Sequence, residues 1–534
     1  MPRRNVFWLL SLVLIIAAFL RFYHFTLLPP GLYPDEAMDG NNAVEALHTG
    51  DLKVYYPENN GREGLFMNMQ ALLMRATGVM NEPWILRLPS AIFGLLTVLG
   101  IYFLAAELFS PAVGLFSSFL VATSFWHIMF SRIGFRAILA PFFLTWALYL
   151  FLSSLKHAVE NEEGSHKKSG VLNSKSETIS KSQSVNPKRV SCLEFRASCL
   201  AALGGLLYGL GFYTYISYRV SPLLFLLFIP FLWRDKKFWR TAAIFVGAAF
   251  LVALPIGLYY LHHPADFFGR TSEISVFASP TPLKDLAGNI LKTALMFNWR
   301  GDENWRQNYA GAPELFWPVG ILFLIGLALA IKNLFSKTGR QAPDSERNPS
   351  RGLRVLSENQ KLEIGILLLW LLLAALPVVI SDEGIPHALR AILMIPPVFI
   401  LAALGGAWLY AFLARFCTPL ILKSALAAFV LMLAAQAYYA YFDAWGGNPN
   451  VQGAFAADYA EIGRTINDLP PAMPKYVVVD AGGVLVRGIP MPAETVMFIT
   501  GTYLPEGQRA KNVHYVLPQN AGQIPAGAAA FHIQ

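Results

Sequence analysis

The stretch RRNVFWLLSLVLIIAAFLRFYHFTLLPPGLYPDE, residues 3–36, joins a long apolar run to two adjacent carboxylates. The run covers residues 6–19 and follows two arginines, and the sequence Tyr-Pro-Asp-Glu comes at residues 33–36. Charge close to a membrane-length apolar segment is energetically costly and is therefore usually functional. No small-residue cleavage pattern follows the run and many apolar segments do, so we predict an uncleaved first membrane span rather than a signal peptide.

The composition is typical of a polytopic membrane protein rather than of a soluble enzyme. Hydrophobic residues make up 55% and charged residues 14% of the 534 residues, whereas charged residues are about 25% of a soluble protein. The net charge of +8 does not indicate nucleic-acid binding, because lysine and arginine lie in short polar segments instead of forming one basic face. The three cysteines lie in or beside segments expected within the membrane or on its cytoplasmic side, so no disulfide framework is expected.

Eleven apolar stretches are candidates for membrane spans, because a hydrocarbon core of about 30 Å requires about 20 residues of helix. They cover residues 6–22, 85–108, 112–130, 137–155, 197–215, 220–233, 241–261, 315–332, 363–380, 391–414 and 424–442. The predicted fold class is therefore a polytopic α-helical membrane protein with about 11 transmembrane helices.

The positions of the basic residues predict the orientation of these spans. An excess of lysine and arginine marks the cytoplasmic loops of a membrane protein. If the N-terminus lies inside the cell, the cytoplasmic loops contain nearly all the dense basic clusters; these loops are residues 156–196, 234–240, 333–362 and 415–423. We therefore predict a cytoplasmic N-terminus and an extracytoplasmic C-terminus.

The transmembrane core is predicted to cover residues 1–442 and to contain two inserts in its cytoplasmic loops. These inserts, at about residues 160–191 and 336–361, contain almost no large apolar side chain and are predicted to be disordered. Residues 443–534 have mixed polarity and are predicted to form a small extracytoplasmic α/β domain. Its helical pattern covers residues 455–469, and its strand patterns cover residues 476–480, 495–500 and 513–517.

The first outer loop, residues 23–83, is predicted to carry the chemistry. Amphipathic helical spacing at residues 38–48 and 65–76 predicts two helices lying along the membrane surface. Such helices would hold the charged pairs at residues 35–36 and 62–63 near the lipid headgroups. A lipid-linked substrate presents its phosphate at this level of the membrane.

Tyr33-Pro34-Asp35-Glu36 after the first span, the amphipathic loop, the many spans and the soluble tail together resemble the GT-C superfamily of glycosyltransferases. More closely, the chain is similar to bacterial relatives of protein O-mannosyltransferases and of the lipid A aminoarabinose transferase. The resemblance is strongest over residues 1–155. It implies a multi-pass protein of the cytoplasmic (inner) membrane that moves a hexose or pentose from a polyprenyl-phosphate carrier to an acceptor hydroxyl on the outer face, with inversion. The implied partners are the lipid-linked donor, a lipid, glycan or protein acceptor and membrane lipids, but not nucleic acid.

The resemblance assigns roles to residues of the first outer loop. Asp35 would be the general base, Glu36 would hold the acceptor or orient the loop, and Arg62 and Glu63 would bind acceptor or donor phosphate. An inverting displacement needs a base beside the acceptor and a means of stabilising the phosphate leaving group, which needs no protonation. A helix N-terminal cap after Pro34 is the alternative for both loop carboxylates, since acidic side chains favour that end of a helix.

Arginines are the expected ligands of the donor phosphate, because a guanidinium fork matches phosphate oxygens. Arg132 and Arg136 lie between the third and fourth predicted spans, and His387 and Arg390 begin the tenth on the same side. Arg219 lies among tyrosines that suit a sugar face or an isoprenoid. The alternative for each arginine is an anchor at the membrane interface.

Some relatives carry a further acidic residue near the third and fourth spans, where this sequence has none. The acidic pairs at residues 302–303 and 382–383 could supply it, and the alternative for each is a solvated pair in a loop. The sequence has no cluster with reliable metal-ligand spacing, so no obligatory cofactor or metal is predicted. A divalent cation held by Asp35, Glu36 or Glu63 with the donor phosphate is the alternative left open.

Two other functions are consistent with a membrane protein of this kind. A transporter or flippase would place ionisable residues deep within its spans and could show an internal repeat, neither of which the sequence indicates. A glycan polymerase or ligase would differ mainly in using a lipid diphosphate donor. The absence of Walker and dinucleotide motifs disfavours a nucleotide-driven pump.

Overall fold

The computed structural model describes residues 2–169, 187–229, 236–273, 275–336 and 358–534. These residues are mostly α-helical, and the predicted polytopic helical fold is confirmed. The helices of the membrane part are α1 Arg3–Phe22, α2 Pro34–Thr49, α3 Leu65–Thr77, α4 Pro83–Leu108, α5 Pro111–Ala122, α6 Phe125–Arg132, α7 Leu139–Ser169, α8 Pro187–Gly211, α9 Pro222–Leu226, α10 Lys236–His262, α11 Pro264–Glu273, α12 Pro282–Leu295, α13 Trp317–Phe335, α14 Glu358–Val379, α15 Ile395–Leu413 and α16 Pro419–Tyr438.

Eight helices in the described part of the chain are long and apolar enough to cross a membrane. Helices α5 and α6, bent by 61° where they meet, would together form a ninth span. The predicted span at residues 112–130 is broken there because the Ser124 side chain accepts a hydrogen bond from the His127 N–H and so caps a new helix.

The predicted count of about 11 spans stays unconfirmed. Residues 197–215 lie largely in α8, which is not among the eight apolar helices. Residues 220–233 include only the short helix α9 before the undescribed residues 230–235.

The predicted disordered inserts at about residues 160–191 and 336–361 lie mostly outside the described residues. Where the structure describes their ends, the chain is helical: α7 extends to Ser169, and α8 and α14 begin at Pro187 and Glu358. Glutamate and lysine in these ends are good helix formers, which allows the helices to continue beyond the apolar residues.

Close packing of helix backbones holds the membrane part together. At Gly326 of α13 and Gly405 of α15 an added Cβ would collide with the backbone of the other helix. Apolar side chains gain little by exchanging lipid for protein, so helices in a membrane associate through such close contacts between small residues. Helices α4, α5, α7 and α15 enclose the main core, in which Trp126 is fully buried.

The first outer loop contains the two predicted helices, which are confirmed as α2 and α3. Between them, β1 Tyr55–Tyr56 pairs antiparallel with β2 Arg62–Glu63, so that Tyr55 lies opposite Glu63. The hairpin turns through Asn59, Asn60 and Gly61, all with positive φ. The turn brings β2 back toward the N-terminal end of α2.

A buried ion pair fixes the start of α2. The Glu36 carboxylate accepts from Arg87 Nε at 2.9 Å and Nη2 at 3.0 Å, and from the Gly134 N–H at 2.7 Å. Arg87 also donates to the carbonyls of Pro29 and Gly31. Both charged side chains are almost completely buried, with 1% of Arg87 and 0% of Glu36 exposed. Their contacts join the first outer loop, α4 and the turn after α6.

The C-terminal segment folds as a small α/β unit. In its parallel sheet the strand at Lys475–Val479 lies between those at Val513–Val516 and Ala529–Ile533, and a separate hairpin pairs Leu485–Val486 with Ile489–Pro490. A π-helical turn, Tyr439–Trp445, connects this unit to α16. Its elements are α17 Pro449–Ala454, α18 Ala457–Asp468, β3 Lys475–Val479, β4 Leu485–Val486, β5 Ile489–Pro490, α19 Glu494–Thr500, α20 Pro505–Lys511, β6 Val513–Val516 and β7 Ala529–Ile533.

The predicted strand at residues 495–500 is wrong, because this segment forms the helix α19. Every residue of α19 is buried, since the helix packs between α2 and α18. Burial on all sides makes the β-branched residues compatible with a helix, so tertiary packing overrides their strand preference. The predicted helix at 455–469 and the predicted strands at 476–480 and 513–517 are confirmed, with small shifts of their ends.

Helix α19 packs directly on α2. Asn41 Nδ2 donates to the Glu494 side chain at 2.7 Å, and Thr495 Oγ1 donates to the Leu32 carbonyl at 2.9 Å. At Gly40 an added Cβ would lie 2.7 Å from Phe498, so only glycine allows this approach. The C-terminal unit therefore supports α2, whose first turn contains Asp35.

We expect Arg87→Met to lower the Tm of the purified protein strongly. The change leaves the Glu36 charge buried without a partner, which costs about 3–5 kcal/mol. Thermal unfolding in detergent measures the effect, and Arg464→Met, which breaks the exposed pair with Glu461, is the matched control. The double variant Glu36→Gln/Arg87→Met should recover part of the loss. Equal Tm values for Arg87→Met and the control would contradict the structural role of the pair.

The buried carboxyl of Glu494 should make the stability of the folded protein depend on pH. Burial raises the pKa of its carboxyl to about 7, so the folded state is favoured at low pH and loses this advantage as pH rises from about 4.5 to 7, at about 1.4 kcal/mol per pH unit. Glu494→Gln keeps an oxygen for Asn41 and should raise the Tm at about pH 8 but not at about pH 4.5. A Tm difference independent of pH would refute this account.

Candidate active site

Asp35 lies at the start of α2, beside a cavity. Its Oδ1 accepts from Arg62 Nη2 at 2.7 Å and from Asn59 Nδ2 at 2.8 Å. The side chain is 31% exposed, whereas Arg62 is buried. The hairpin thus orients a carboxylate that a substrate can still reach.

Glu36 differs from its neighbour, because its carboxylate is inaccessible and bound to Arg87. It also accepts from the Tyr33 N–H at 3.3 Å, which completes a helix cap. Glu36 is therefore the helix cap that was the alternative from the sequence. Because its carboxylate is buried, it cannot hold the acceptor. The contacts of Glu36 fit the predicted role of orienting the loop.

Asp39, which the sequence analysis missed, shares Arg62 with Asp35. Arg62 Nε lies 3.3 Å from Asp39 Oδ1, and burial raises the pKa of the Asp39 carboxyl to about 6. The spacing of four residues along α2 was the available signal, since it places Asp35 and Asp39 on one helix face.

Glu63 brings together two of the predicted arginines. Its Oε2 accepts from Arg136 Nε at 3.0 Å, and its Oε1 accepts from Arg219 Nη2 at 3.3 Å. Arg136 follows α6, and Arg219 lies in a short 3₁₀ turn before α9. A carboxylate of the first outer loop therefore holds arginines from two other parts of the chain.

These arginines line a cavity of about 300 Å³, here called the arginine cavity. Arg219 stacks over Phe267 at 4.3 Å and over Tyr260 at 4.9 Å. The cavity combines guanidinium groups with aromatic and aliphatic walls. Its lining includes Tyr55, Glu63, Arg136, Tyr215, Arg219, Asp266, Phe267, Phe268, Pro377, Ile380 and Arg390.

A second cavity, of about 530 Å³, shares Tyr215 and Arg390 with the first and is here called the acidic cavity. Loop residues 302–307 and 383–390 form much of its wall, so both acidic pairs considered from the sequence come close to Asp35 through Asp302, Glu303 and Glu383. The remaining lining includes Tyr33, Phe135, Tyr215, Asn304, Arg306, Gln307, His387, Leu389 and Arg390.

Asp302 ties these two loops together. Its Oδ2 accepts from the Ala388 N–H at 2.8 Å, its Oδ1 accepts from the Asn304 N–H at 2.7 Å, and its own N–H donates to Glu314 at 3.0 Å. Burial raises the pKa of the Asp302 carboxyl to about 6. His387 lies 3.9 Å from the same carboxylate and faces the acidic cavity.

Arg390 lies between the cavities and lines both. It donates to the Ser381 hydroxyl, to the Glu383 carbonyl at 2.9 Å and to the Glu383 carboxylate at 3.1 Å. Arg306, which the sequence analysis did not single out, stacks over Tyr33 at 3.8 Å.

Arg132 is not placed to bind a donor phosphate, which corrects its predicted role. It is fully buried and donates to the carbonyls of Arg21 at 2.7 Å and Leu28 at 3.0 Å. Its guanidinium also stacks over Tyr441 and Phe442. Neither cavity is lined by Arg132, so this residue secures the connection between α1 and α2.

Within the described residues, no group of three His, Cys, Asp or Glu side chains is arranged to hold a metal ion. Arginines occupy the carboxylates of Glu36 and Glu63. A divalent cation bound by either residue would have to displace these guanidinium groups.

Comparison with known proteins supports one fold family. Residues 65–163 match the family model described as dolichyl-phosphate-mannose-protein mannosyltransferase. Curated protein sequences yield no match. The solved structures provide the remaining comparisons.

ArnT from Cupriavidus metallidurans, bound to undecaprenyl phosphate, matches with a TM-score of 0.55 at 13% identity, over 96% of this chain and 90% of ArnT. The Archaeoglobus fulgidus oligosaccharyltransferase with a tethered acceptor peptide matches with a TM-score of 0.54 at 12% identity, over 98% of this chain. The match spans 65% of the length of the archaeal chain. The oligosaccharyltransferase AglB from Archaeoglobus fulgidus, in complex with an inhibitory peptide and a dolichol-phosphate, gives a TM-score of 0.50 at 14% identity, over 89% of this chain and 62% of that one. The resemblance inferred from the sequence is thereby confirmed, and the chain has the fold of the GT-C membrane glycosyltransferases.

Proposed function

We propose that this protein transfers a sugar from a polyprenyl-phosphate carrier to an acceptor hydroxyl at the outer face of the cytoplasmic membrane, with inversion at the anomeric carbon. The proposal rests mainly on one observation, which is that Asp35, the proposed base, and arginines line the same space. A small cavity of about 60 Å³ between the two larger ones is lined by Asp35, Arg62, Arg136 and Tyr215. A reacting atom there would be close to the Asp35 carboxylate and to the Arg136 guanidinium.

The arginine cavity suits the donor. Arg136, Arg219 and Arg390 offer planar donor groups for phosphate oxygens, and the aromatic and aliphatic walls suit an isoprenoid. The GT-C relatives provide independent support, because ArnT was solved with undecaprenyl phosphate and the archaeal enzyme with a dolichol-phosphate.

The reaction would proceed by direct displacement. The acceptor oxygen forms a bond to the anomeric carbon while the bond from that carbon to the phosphate oxygen breaks, and its electron pair stays on the phosphate. The acceptor proton passes to Asp35, whose Oδ1 is held by Arg62 and Asn59. Because the arginines stabilise the leaving phosphate electrostatically, no acid is needed.

The proposed orientation of the protein in the membrane follows from the concentration of lysine and arginine in the predicted cytoplasmic loops. The first outer loop and the C-terminal unit pack on each other, so they must lie on the same side of the membrane. An extracytoplasmic C-terminal unit therefore places Asp35 outside as well.

We expect Asp35→Asn to reduce sugar transfer from the lipid-linked donor by about 10²–10⁴-fold, the usual contribution of a general base. The amide keeps an oxygen for Arg62 and Asn59, so the Tm should change little. Transfer by purified protein in lipid nanodiscs measures the effect, with Asp458→Asn, an exposed carboxylate in the first turn of α18, as the control. Full activity in Asp35→Asn would exclude this residue as the base.

We expect Arg219→Lys to raise the KM for the donor by about tenfold with a smaller effect on kcat. Lysine keeps the charge beside Glu63 but loses the planar fork and the stacking over Phe267. The matched control is Arg240→Lys, an exposed residue paired with Glu194. An unchanged donor KM in Arg219→Lys would place the phosphate elsewhere.

A further inference from the structure

The two cavities differ in charge although they share Tyr215 and Arg390. The arginine cavity is lined by three arginines and by the carboxylates Glu63 and Asp266. The acidic cavity is lined by two arginines and by four carboxylates, which are Asp35, Asp302, Glu303 and Glu383. Excess positive charge therefore lies on the donor side, and excess negative charge lies on the side that the acceptor would enter.

Both arginines that line the acidic cavity contact other groups of the protein. Arg390 binds the Glu383 carboxylate at 3.1 Å. Arg306 stacks over Tyr33 and donates from Nε to Asn304 Oδ1 at 3.2 Å. A phosphate group in this cavity would lie among four carboxylates and only two arginines, so the cavity disfavours an anionic ligand.

Several features of the acidic cavity suit a sugar ring. The Glu303 and Glu383 carboxylates pair with Arg300 and Arg390, but their side chains are exposed by 63% and 70%, so hydroxyl donors can still reach them. Tyr33, Phe135 and Tyr215 contribute aromatic faces, against which the C–H groups of a sugar can pack. Its volume of about 530 Å³ is within the range of small-molecule sites.

From these observations we infer that the acceptor is an uncharged carbohydrate, presenting a hydroxyl to Asp35 from the acidic cavity, and not a phosphorylated molecule. The inference rests on the proposed function and specifies its acceptor. Carboxylates and aromatic faces around one compact space favour a sugar ring over an extended peptide.

The test uses the full chain in lipid nanodiscs. Donors are synthetic undecaprenyl phosphates that carry radiolabelled mannose, glucose or arabinose. Acceptors are mannotriose, the same trisaccharide with a 6-phosphate, and a threonine-containing peptide of similar size. Label in each acceptor and release of undecaprenyl phosphate are measured separately. We expect mannotriose to be used at least about tenfold better than its phosphorylated form, because like charges across a binding site disfavour the wrong partner.

A charge-reversing variant tests the physical cause. Glu303→Lys should lower the preference for mannotriose over its 6-phosphate to near unity, since the cavity then gains a cation in place of an exposed carboxylate. Glu461→Lys, which reverses an equally exposed charge on α18 of the C-terminal unit, should leave the preference unchanged. Equal Tm values for the two variants exclude misfolding.

The possible results distinguish a failure of the inference from a failure of the proposed function. Preferred use of the phosphorylated trisaccharide or the peptide would overturn the inference and leave the proposed function in place. A preference for mannotriose that Glu303→Lys does not reduce would overturn the electrostatic cause. No release of undecaprenyl phosphate from any donor, even to water, would overturn the proposed function itself.

Discussion

The buried ion pair between Arg87 and Glu36 is the constraint on which the candidate site depends. Two charges in a dry interior are tolerated only when hydrogen bonds satisfy them fully, and here the carbonyl of Gly31 and the N–H of Gly134 complete the set. Asp35 precedes Glu36 directly, and Arg136 comes two residues after Gly134. The pair therefore fixes the proposed base relative to an arginine of the donor side.

A second carboxylate, that of Glu63, positions side chains of the arginine cavity, as the Glu36 carboxylate positions the first outer loop. Glu63 holds Arg136 and Arg219, which belong to different parts of the chain. Held in this way, the guanidinium groups are oriented before a ligand enters, which lowers the ordering cost of binding a phosphate. Negative side chains of the first outer loop thus position the positive groups of the proposed donor site.

The sequence determined the apolar helices, the helices of the first outer loop and the chemical types at the site. These features depend on local patterns: apolar runs long enough for a membrane, helical spacing, and a proline followed by two carboxylates that cap a helix. Asp35, Arg62, Glu63, Arg136, Arg219, His387 and Arg390 were all named from the sequence, by such patterns or by the family resemblance, and lie around the three cavities.

Only the tertiary structure decided which of these residues are buried in the protein and which face a cavity. Arg132 and Arg136 are four residues apart, yet the first is enclosed by carbonyls near residue 28 and by rings near residue 441, and the second faces a cavity. Residues 495–500 read as a strand but form a helix, because burial on all sides outweighs local preference. Asp302 lines the same cavity as Asp35 and is held by a loop more than 80 residues away. Local sequence carries no information about such distant partners, since these contacts exist only after the chain has packed.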